Sequence, residues 1–352
     1  MSVVAPKTGG AAPERYKALF DARVLPDNAL TQWRRAALDR FLATGFPTQR
    51  DEDWKYTTLR RLESRSFVPA TPAPVAVDES GWVEGAGARI VLANGHAIAA
   101  LSTLSPLPPG VTVAMLGQWL ANDYDHAAAY LREQRHAATS AFEYLNAAFF
   151  EDGVVIDIAD GVRVDQPVYV VHQMSAGNGM SHPRILVRCG QDSQITLIEH
   201  YIGATDSESL INTFVSIDLS AGAKFSHYRL QQESTRSFHI GTVRAHLDRD
   251  SRYACRDIAL GGTLARTQIT ATLAGTGAEA TLQGLFAPGG SQHIDTYTLV
   301  DHAAAHTTSV EEYRGIADGR GRGVYRGKVI VRKDAQKIDS RQSSRNLLLS
   351  PT

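Results

Sequence analysis

The sequence predicts a mainly β protein, a parallel β-helix (β-solenoid) that follows a mostly helical N-terminal region. After Gly153 the chain is a succession of short strand-like segments with no helical segments between them. The turns at Gly190, Gly222, Asp250 and Gly277 are separated by 32, 28 and 27 residues. Short strands alone would also suit a sandwich or a propeller. A near-constant repeat with two strands per unit favours the β-helix, in which each coil stacks on the last.

The N-terminal part of the chain is predicted to contain a leader and a helical region. Residues 1–20 are expected to form a flexible leader, and residues 21–150 a helical or mixed region. In this region a first helix is indicated by apolar residues that recur at helical spacing. They are Leu30, Trp33, Ala37, Leu38 and Phe41. Asp27 or Asn28 can cap the start of this helix, and Gly45 ends it.

Further elements of this region follow from local patterns. The segment "ARIVLANG" (88–95) predicts a short strand that ends in an Asn-Gly turn. Residues 115–136 are rich in Ala and favour a helix. Ser140 and Glu143 have the spacing of a capping box, which predicts one more helix before Gly153.

Residues 151–350 are predicted to form the β-helix itself. Its interior is expected to be a continuous apolar column, built from aligned side chains of successive coils. The side chains assigned to that column are Phe225, Tyr228, Leu230, Tyr253, Ile258, Leu260, Leu282 and Leu285. A solenoid exposes a coil at its end unless that coil is capped or paired. The last strands are therefore candidates for pairing with another protein.

Composition excludes several classes of function. Lys and Arg number 36 and Asp and Glu number 37, which gives a formal net charge of -1 and no basic excess for nucleic acid. The sequence has no apolar run long enough to span a membrane. Its N-terminus lacks the pattern of a secretory signal. These observations predict a cytoplasmic protein that binds neither nucleic acid nor membrane.

Candidate metal and thiol residues give weak signals. His302 and His306 have the i,i+4 spacing that suits zinc on a helix, but the residues around them indicate strand and turn. We expect these two histidines and His293 to form hydrogen bonds at the surface or to face a partner. Cys255 and Cys189 do not form a CxxC motif, and each is expected to be a buried, inert thiol.

Motifs for phosphate binding and for sugar cleavage are weak as well. The segment "DGRGRGVYRG" (318–327) is rich in Gly, but it neither matches a phosphate loop nor opens a helix. It is expected to be a flexible turn of the solenoid. Carboxylates are scattered rather than paired as glycosidases require. No catalytic residue is predicted.

Four ordered segments resemble a known family. They are "RDEDWKYT" (50–57), "AFEYLNAAFFEDGVVIDIADG" (141–161), "HIDTYTLVDHAAAHTTSVEEYRGI" (293–316) and "GKVIVRKDAQKIDSRQSSRNLLLS" (327–350). Together they resemble SufD-type iron–sulfur cluster assembly proteins of the SufB/SufD family, over roughly residues 20–350. SufB-type proteins usually carry a cysteine in the stretch that matches Gln342–Arg345. This chain has "QSSR" there, which favours the SufD type.

The resemblance implies a fold and a set of partners. The family combines an N-terminal helical region, a right-handed parallel β-helix and a C-terminal helical domain, and the last of these is expected to be absent from this chain. The implied function is that of a non-catalytic scaffold that pairs with a SufB-like subunit in a SufBCD-type complex. A SufC-like ATPase docks largely through the C-terminal domain. A transient iron–sulfur cluster and a reduced flavin are implied for the complex, and no cofactor is assigned to this chain itself.

Candidate site residues follow from the late polar strands and the resemblance. The partner-interface candidates, which could instead form ladders within the terminal coils, are Lys328, Gln336, Asp339, Gln342 and Asn346. The candidates for the neighbourhood of a cluster are His293, His302, His306 and Cys255, and no metal ligand is assigned. Two alternatives remain open. One is a SufB-like, cluster-carrying subunit that uses Cys255 and nearby histidines, and the other is a carbohydrate-active β-helix enzyme.

Overall fold

The computed structural model describes residues 12–72, 82–104, 107–132 and 138–350. Its helices are α1 Ala12–Asp21, α2 Ala29–Thr44, α3 Arg60–Glu63, α4 Leu116–Asn122, α5 Tyr124–Arg132 and α6 Ala141–Phe149. Its strands are β1 Val68–Pro69, β2 Ala88–Ala93, β3 His96–Ala97, β4 Thr103–Leu104, β5 Val111–Met115, β6 Gly153–Ile158, β7 Val168–Met174, β8 Gly179–Ser181, β9 Arg184–Cys189, β10 Gln194–Gly203, β11 Leu210–Leu219, β12 Lys224–Gln231, β13 Phe238–Leu247, β14 Arg252–Ala259, β15 Leu264–Leu273, β16 Glu279–Phe286, β17 His293–His302, β18 Thr308–Ala317, β19 Arg322–Val331 and β20 Asp339–Leu348.

Successive long strands alternate between two sheets, so that each coil supplies one strand to each sheet. The first sheet has the order β5-β6-β9-β11-β13-β15-β17-β19, and the second β3-β2-β7-β10-β12-β14-β16-β18-β20. From β9 and β10 onward, these neighbours are parallel. Lys224 lies beside Arg252, and Arg252 beside Glu279. The predicted repeat is therefore one coil of a β-solenoid, and the predicted fold class is confirmed.

The N-terminal helices cover the outer face of the first sheet. Helices α1, α2 and α6 share one apolar cluster with residues of that face, among them Leu210, Phe238 and Leu264. Asn28 caps α2 by accepting a hydrogen bond from the backbone N–H of Thr31 at 2.9 Å. The predicted capping box of Ser140 and Glu143 begins α6. Burial against the sheet thus stabilises helices that would be only marginally stable in isolation.

Three expectations for this region differ from the structure. Helix α1 begins at Ala12, inside the segment expected to be a flexible leader. Strands β2 and β5 belong to the two sheets of the solenoid, so residues 21–150 are not separate from the β-helix. The single helix expected over 115–136 is two helices that meet at Asp123, and residues 133–136 lie outside the described residues.

The interior of the solenoid contains an apolar cluster that runs through successive coils, as expected, but several of the side chains assigned to it face outward and charged ones lie beside it. Phe225 is buried and faces inward as predicted, but Tyr228 is 39% exposed and faces outward. Side chains of a strand alternate between its two faces, so positions 225 and 228 cannot share one. Leu230, Ile258, Leu260 and Leu285 are likewise only partly buried, whereas Tyr253 and Leu282 do belong to the core. Alternation from Phe225 instead brings His227 and Arg229 into the interior, where both are buried.

This alternation gives the first prediction. Phe225→Ala should destabilise the protein by about 3–5 kcal/mol, because it removes a fully buried ring and leaves a cavity. Tyr228→Ala on the same strand should cost within about 1 kcal/mol, because its ring lies against solvent. The midpoint of chemical unfolding, measured by circular dichroism, checks both. Equal losses in the two variants would contradict the assigned faces.

Candidate functional sites: the terminal coil and the polar interior

The terminal coil leaves one edge of each sheet without a paired strand among the described residues. Strand β19 pairs with β17, and β20 pairs with β18. Both are ten residues long, and β20 is exposed along almost its whole length. Long exposed edges present rows of backbone donors and acceptors that another strand can pair with. These two edges are the first candidate site.

All five residues predicted for a partner interface lie in this coil. Lys328 is in β19, and Gln336 is in the turn that follows it. Asp339, Gln342 and Asn346 are in β20. All five side chains are exposed. The structure thus brings them to one end of the solenoid, while their contact with a partner stays a prediction.

The inner layer of the terminal coil is uncovered. Glu311 and Tyr313 of β18 are buried, whereas their register partners Gln342 and Ser344 of β20 are exposed. The amide of Gln342 donates to the Tyr325 hydroxyl at 3.0 Å, so part of this layer is already ordered. Four apolar side chains at this end are more than half exposed: Val331, Leu347, Leu348 and Leu349. Exposed apolar groups beside unpaired strand edges are typical of interaction surfaces.

A network of buried charges is the second candidate site, and the sequence analysis missed it. Glu199, Arg229 and Asp257 occupy neighbouring register positions on β10, β12 and β14. Arg229 donates to Glu199 at 3.2 Å and to Asp257 at 2.9 Å, and it is almost inaccessible. His227 and Tyr201 also hydrogen-bond to the Glu199 carboxylate. The alternation that starts at Phe225 predicts that His227 and Arg229 face inward, so it could have identified this network from the sequence.

Electrostatics keeps the Glu199 carboxylate ionised. Burial alone raises the pKa of the Glu199 carboxyl, but the hydrogen bond from His227 and the charges of His227 and Arg229 outweigh it. The net result is a pKa held below its ordinary value. Removing one partner of such a buried group leaves the other uncompensated in a low-dielectric interior, which is costly. The network is therefore tied to the folding of the central coils.

His172 lies next to this network without satisfying its own ring nitrogens. Its ring stacks on Tyr201 with centroids 4.4 Å apart, and Nε2 is 3.8 Å from a Glu199 carboxylate oxygen. Neither ring nitrogen has a hydrogen-bond partner among the described residues. Complete burial lowers the pKa of His172 to about 4, because it disfavours the charged imidazolium. The ring is therefore neutral near pH 7.

The residues predicted for a cluster neighbourhood do not converge. His293 faces outward from the first sheet, 2.8 Å from the Thr57 hydroxyl. His302 is buried and bonds Thr307 and Ser309 at 2.7 and 3.0 Å. His306 lies in an exposed turn with a φ of 58°. Within the described ranges, His, Cys, Asp and Glu form no group of three or more that could hold a metal ion.

Both cysteines are poor candidates for cluster ligands in this conformation. Burial raises the pKa of the Cys255 thiol, and that of Cys189, to about 12. The ligand form of cysteine is the thiolate, and at pH 7 these groups are thiols. The expected buried, inert state of both thiols agrees with this geometry.

The segment "RDEDWKYT" docks the N-terminal region onto the solenoid. Arg266 of β15 donates to the Asp53 carbonyl at 2.7 Å and lies 4.1 Å from the Trp54 ring centroid. Arg266 also pairs with Asp295 of β17, and the Thr57 hydroxyl donates to the same carboxylate. Two of the four segments that carry the family resemblance, 50–57 and 293–316, are therefore joined by these contacts.

Membrane insertion through a helix finds no support in this fold. Among the residues that the structure describes, none of the helices combines the length and the apolar character needed to cross a bilayer.

These features define a class: β-solenoid proteins with a helical layer on one sheet, buried charges in the interior and an exposed terminal coil. The chain belongs to the SufBD family of the SUF system for iron–sulfur cluster assembly. The SufBD N-terminal region of that family matches residues 15–170, and the SufBD core domain matches residues 172–352.

Individual relatives agree with this assignment. The iron–sulfur cluster assembly SufBD family protein slr0076 of Synechocystis is 29% identical over 337 residues, which cover 92% of this chain and 74% of the relative. The iron–sulfur cluster assembly protein SufD of Escherichia coli is 24% identical over 344 residues, 92% of this chain and 78% of that protein. The chloroplastic protein ABCI7 of Arabidopsis thaliana is 23% identical over 335 residues, which cover 92% of this chain and 70% of that protein.

The second prediction concerns pH. The ordinary pKa of histidine is about 6.5, and that of His172 in the folded state is about 4. Between these values the unfolded chain binds a proton that the folded chain does not. The neutral His172 ring therefore adds no pH-dependent cost to folding above about pH 6.5. As the pH falls from about 6.5 to about 4, it lowers the free energy of unfolding by up to about 3 kcal/mol.

The test compares unfolding midpoints between pH 7 and pH 4 for the natural sequence, His172→Leu and His306→Asn. His306 is exposed in a turn at a positive φ that Asn tolerates, so its variant should keep the pH dependence of the natural sequence. The His172 variant should show a shallower dependence. The same slope in all three proteins would contradict the assigned role of His172.

Proposed function

We propose that this chain is a non-catalytic scaffold subunit of a SufBCD-type complex and pairs with a SufB-like protein through its terminal coil. The observation that carries the proposal is that β19 and β20 each have one edge without a paired strand among the described residues. Membership of the SufBD family supports a role in iron–sulfur cluster assembly. In this arrangement the strands of the partner extend both sheets, and main-chain hydrogen bonds supply much of the affinity.

The side chains of the terminal coil support such pairing. Lys328 and Asp339 are exposed charges on different sheets, and charge complementarity there would fix the register of the partner. Gln342 and Asn346 lie at inner positions, where their amides can form hydrogen bonds across the joint. Leu348 lies near the end of the same strand and is 62% exposed. Partner strands would bury this apolar group while giving the amides new partners.

A scaffold role is also consistent with the thiols of this chain. Cluster assembly needs soft ligands, mainly thiolates. Cys189 and Cys255 are buried thiols with raised pKa values, and Gln342–Arg345 contains no cysteine. In the proposed complex, the partner supplies most ligands of the nascent cluster, and this chain shapes the site. The transient cluster is then cargo of the complex, which also uses a reduced flavin and a SufC-like ATPase in the cytoplasm.

The third prediction tests the pairing directly. Lys328→Glu and Asp339→Lys should each reduce co-purification with a SufB-type partner at least several-fold, because each reverses a charge at the edge where the partner binds. The measurement is the ratio of the two chains after affinity capture of the partner and size-exclusion chromatography.

Lys224→Glu is the matched control. Lys224 is exposed and occupies the register column that leads to Asp339, but it lies in a central coil with a strand on each side. Pairing by this variant should equal that of the natural sequence. Unchanged pairing by both terminal-coil variants would overturn the proposed interface.

A further inference from the structure

A cleft on one side of the solenoid lies outside the sites described above. Its volume is about 630 Å³, within the range of small-molecule sites. One wall is the end of α3 with Ser64 and Arg65, and the other is formed by turns of three successive coils. These turns connect β12 to β13, β14 to β15 and β16 to β17. The buried ring of Phe238 also lines the cleft.

The wall of stacked turns is held by its own hydrogen bonds. Gln292 donates to the carbonyls of Leu260 and Gly262 at 3.1 and 3.0 Å, and its side-chain oxygen accepts from the Gly289 N–H at 2.9 Å. The Thr263 N–H donates to the Ser237 carbonyl at 2.7 Å. One side chain thus ties together two adjacent turns. The wall is preorganised, which reduces the cost of ordering when a ligand binds.

The cleft carries an excess of positive charge. Arg61, Arg65 and Arg236 line it, and no carboxylate is among the lining residues that the structure describes. Arg65 and Arg236 share a single carboxylate outside the cleft, that of Glu208. Among the described residues, the hydrogen bonds of the Arg61 guanidinium go to neutral oxygens, those of Thr263 and Ser291, at 3.5 and 3.4 Å. These contacts are at the long limit of a hydrogen bond, so the guanidinium can turn toward an anion.

The remaining lining groups suit phosphate oxygens. Hydroxyls of Ser64, Thr235, Thr263 and Ser291 line the cleft beside the arginines. At Gly290, with a φ of 56°, no heavy atom beyond Gly290 and its two neighbours in the chain lies within 4 Å of the position that a Cβ would take, so a ligand can approach the backbone there. Guanidinium groups bind phosphate through paired hydrogen bonds, and hydroxyls and backbone N–H groups add further donors.

We propose that this cleft binds a phosphate-bearing small molecule. Three arginines, four hydroxyls and an open glycine turn converge on one concave, preorganised space. A concave site of this size favours a small ligand over the flat surface of a macromolecule. This inference does not depend on the terminal coil or on pairing with a SufB-like subunit.

The test is isothermal titration of the purified chain with inorganic pyrophosphate, ADP and sulfate at physiological ionic strength. Pyrophosphate should bind at one saturable site. Arg61→Gln and Arg236→Gln should each weaken binding about tenfold or more, because each removes a charged hydrogen-bond donor. Arg249→Gln is the control, since Arg249 is an exposed arginine in a turn that connects β13 to β14. It should bind pyrophosphate as the natural sequence does.

The outcomes separate the possible ligands. Tighter binding of ADP than of pyrophosphate supports a nucleotide, and equal binding supports a polyphosphate group without a nucleoside. Sulfate binding as tight as pyrophosphate binding would show an adventitious anion site only and would overturn the proposal. Absence of saturable binding, or binding that survives both cleft substitutions, would also overturn it. Circular dichroism of each variant verifies that the fold is retained.

Discussion

The main-chain pairing between successive coils is the interaction on which the rest of the structure depends. Each inner coil pairs with the coil before it and the coil after it, as Arg252 does with Lys224 and Glu279. Within the described residues, the terminal coil pairs with another coil on one side only. Its inner layer also meets solvent where earlier coils meet one another. A partner that continues both sheets would supply the missing pairing and cover the inner layer, which is why we propose the interface there.

The charged interior is a second consequence of the same stacking. Parallel register aligns Glu199, Arg229 and Asp257 in one row across three successive coils, where the Arg229 guanidinium pairs with both carboxylates. An apolar interior would accept a shift of register at little cost, whereas this row of charges is matched in one register only. We therefore interpret the network as a device that specifies how the coils align. The same burial that keeps these groups paired keeps Cys255 a thiol.

Much of the architecture follows from the sequence, and the exceptions have physical causes. The spacing of turns predicts the solenoid, and local hydrogen bonds make the caps at Asn28 and Ser140 predictable. Polar residues in strand-like sequence are unusual, and they predict the exposed terminal coil. Hydrophobicity alone does not predict the inward faces, because side chains alternate along each strand and a charged residue such as Arg229 can face inward. Some contacts join residues that are far apart in the chain, as between Arg266 and Trp54 and among the arginines of the cleft. Local sequence patterns do not predict such contacts.

We propose that the terminal coil is where this SufBD-family chain meets its partner. Hydrogen–deuterium exchange of the chain alone and in the presence of a SufB-type partner tests this most directly. Our account predicts that amides of β19 and β20 become strongly protected in the complex, while those of the central strand β12 do not change. Unchanged exchange in β19 and β20 within a complex that has formed would contradict it.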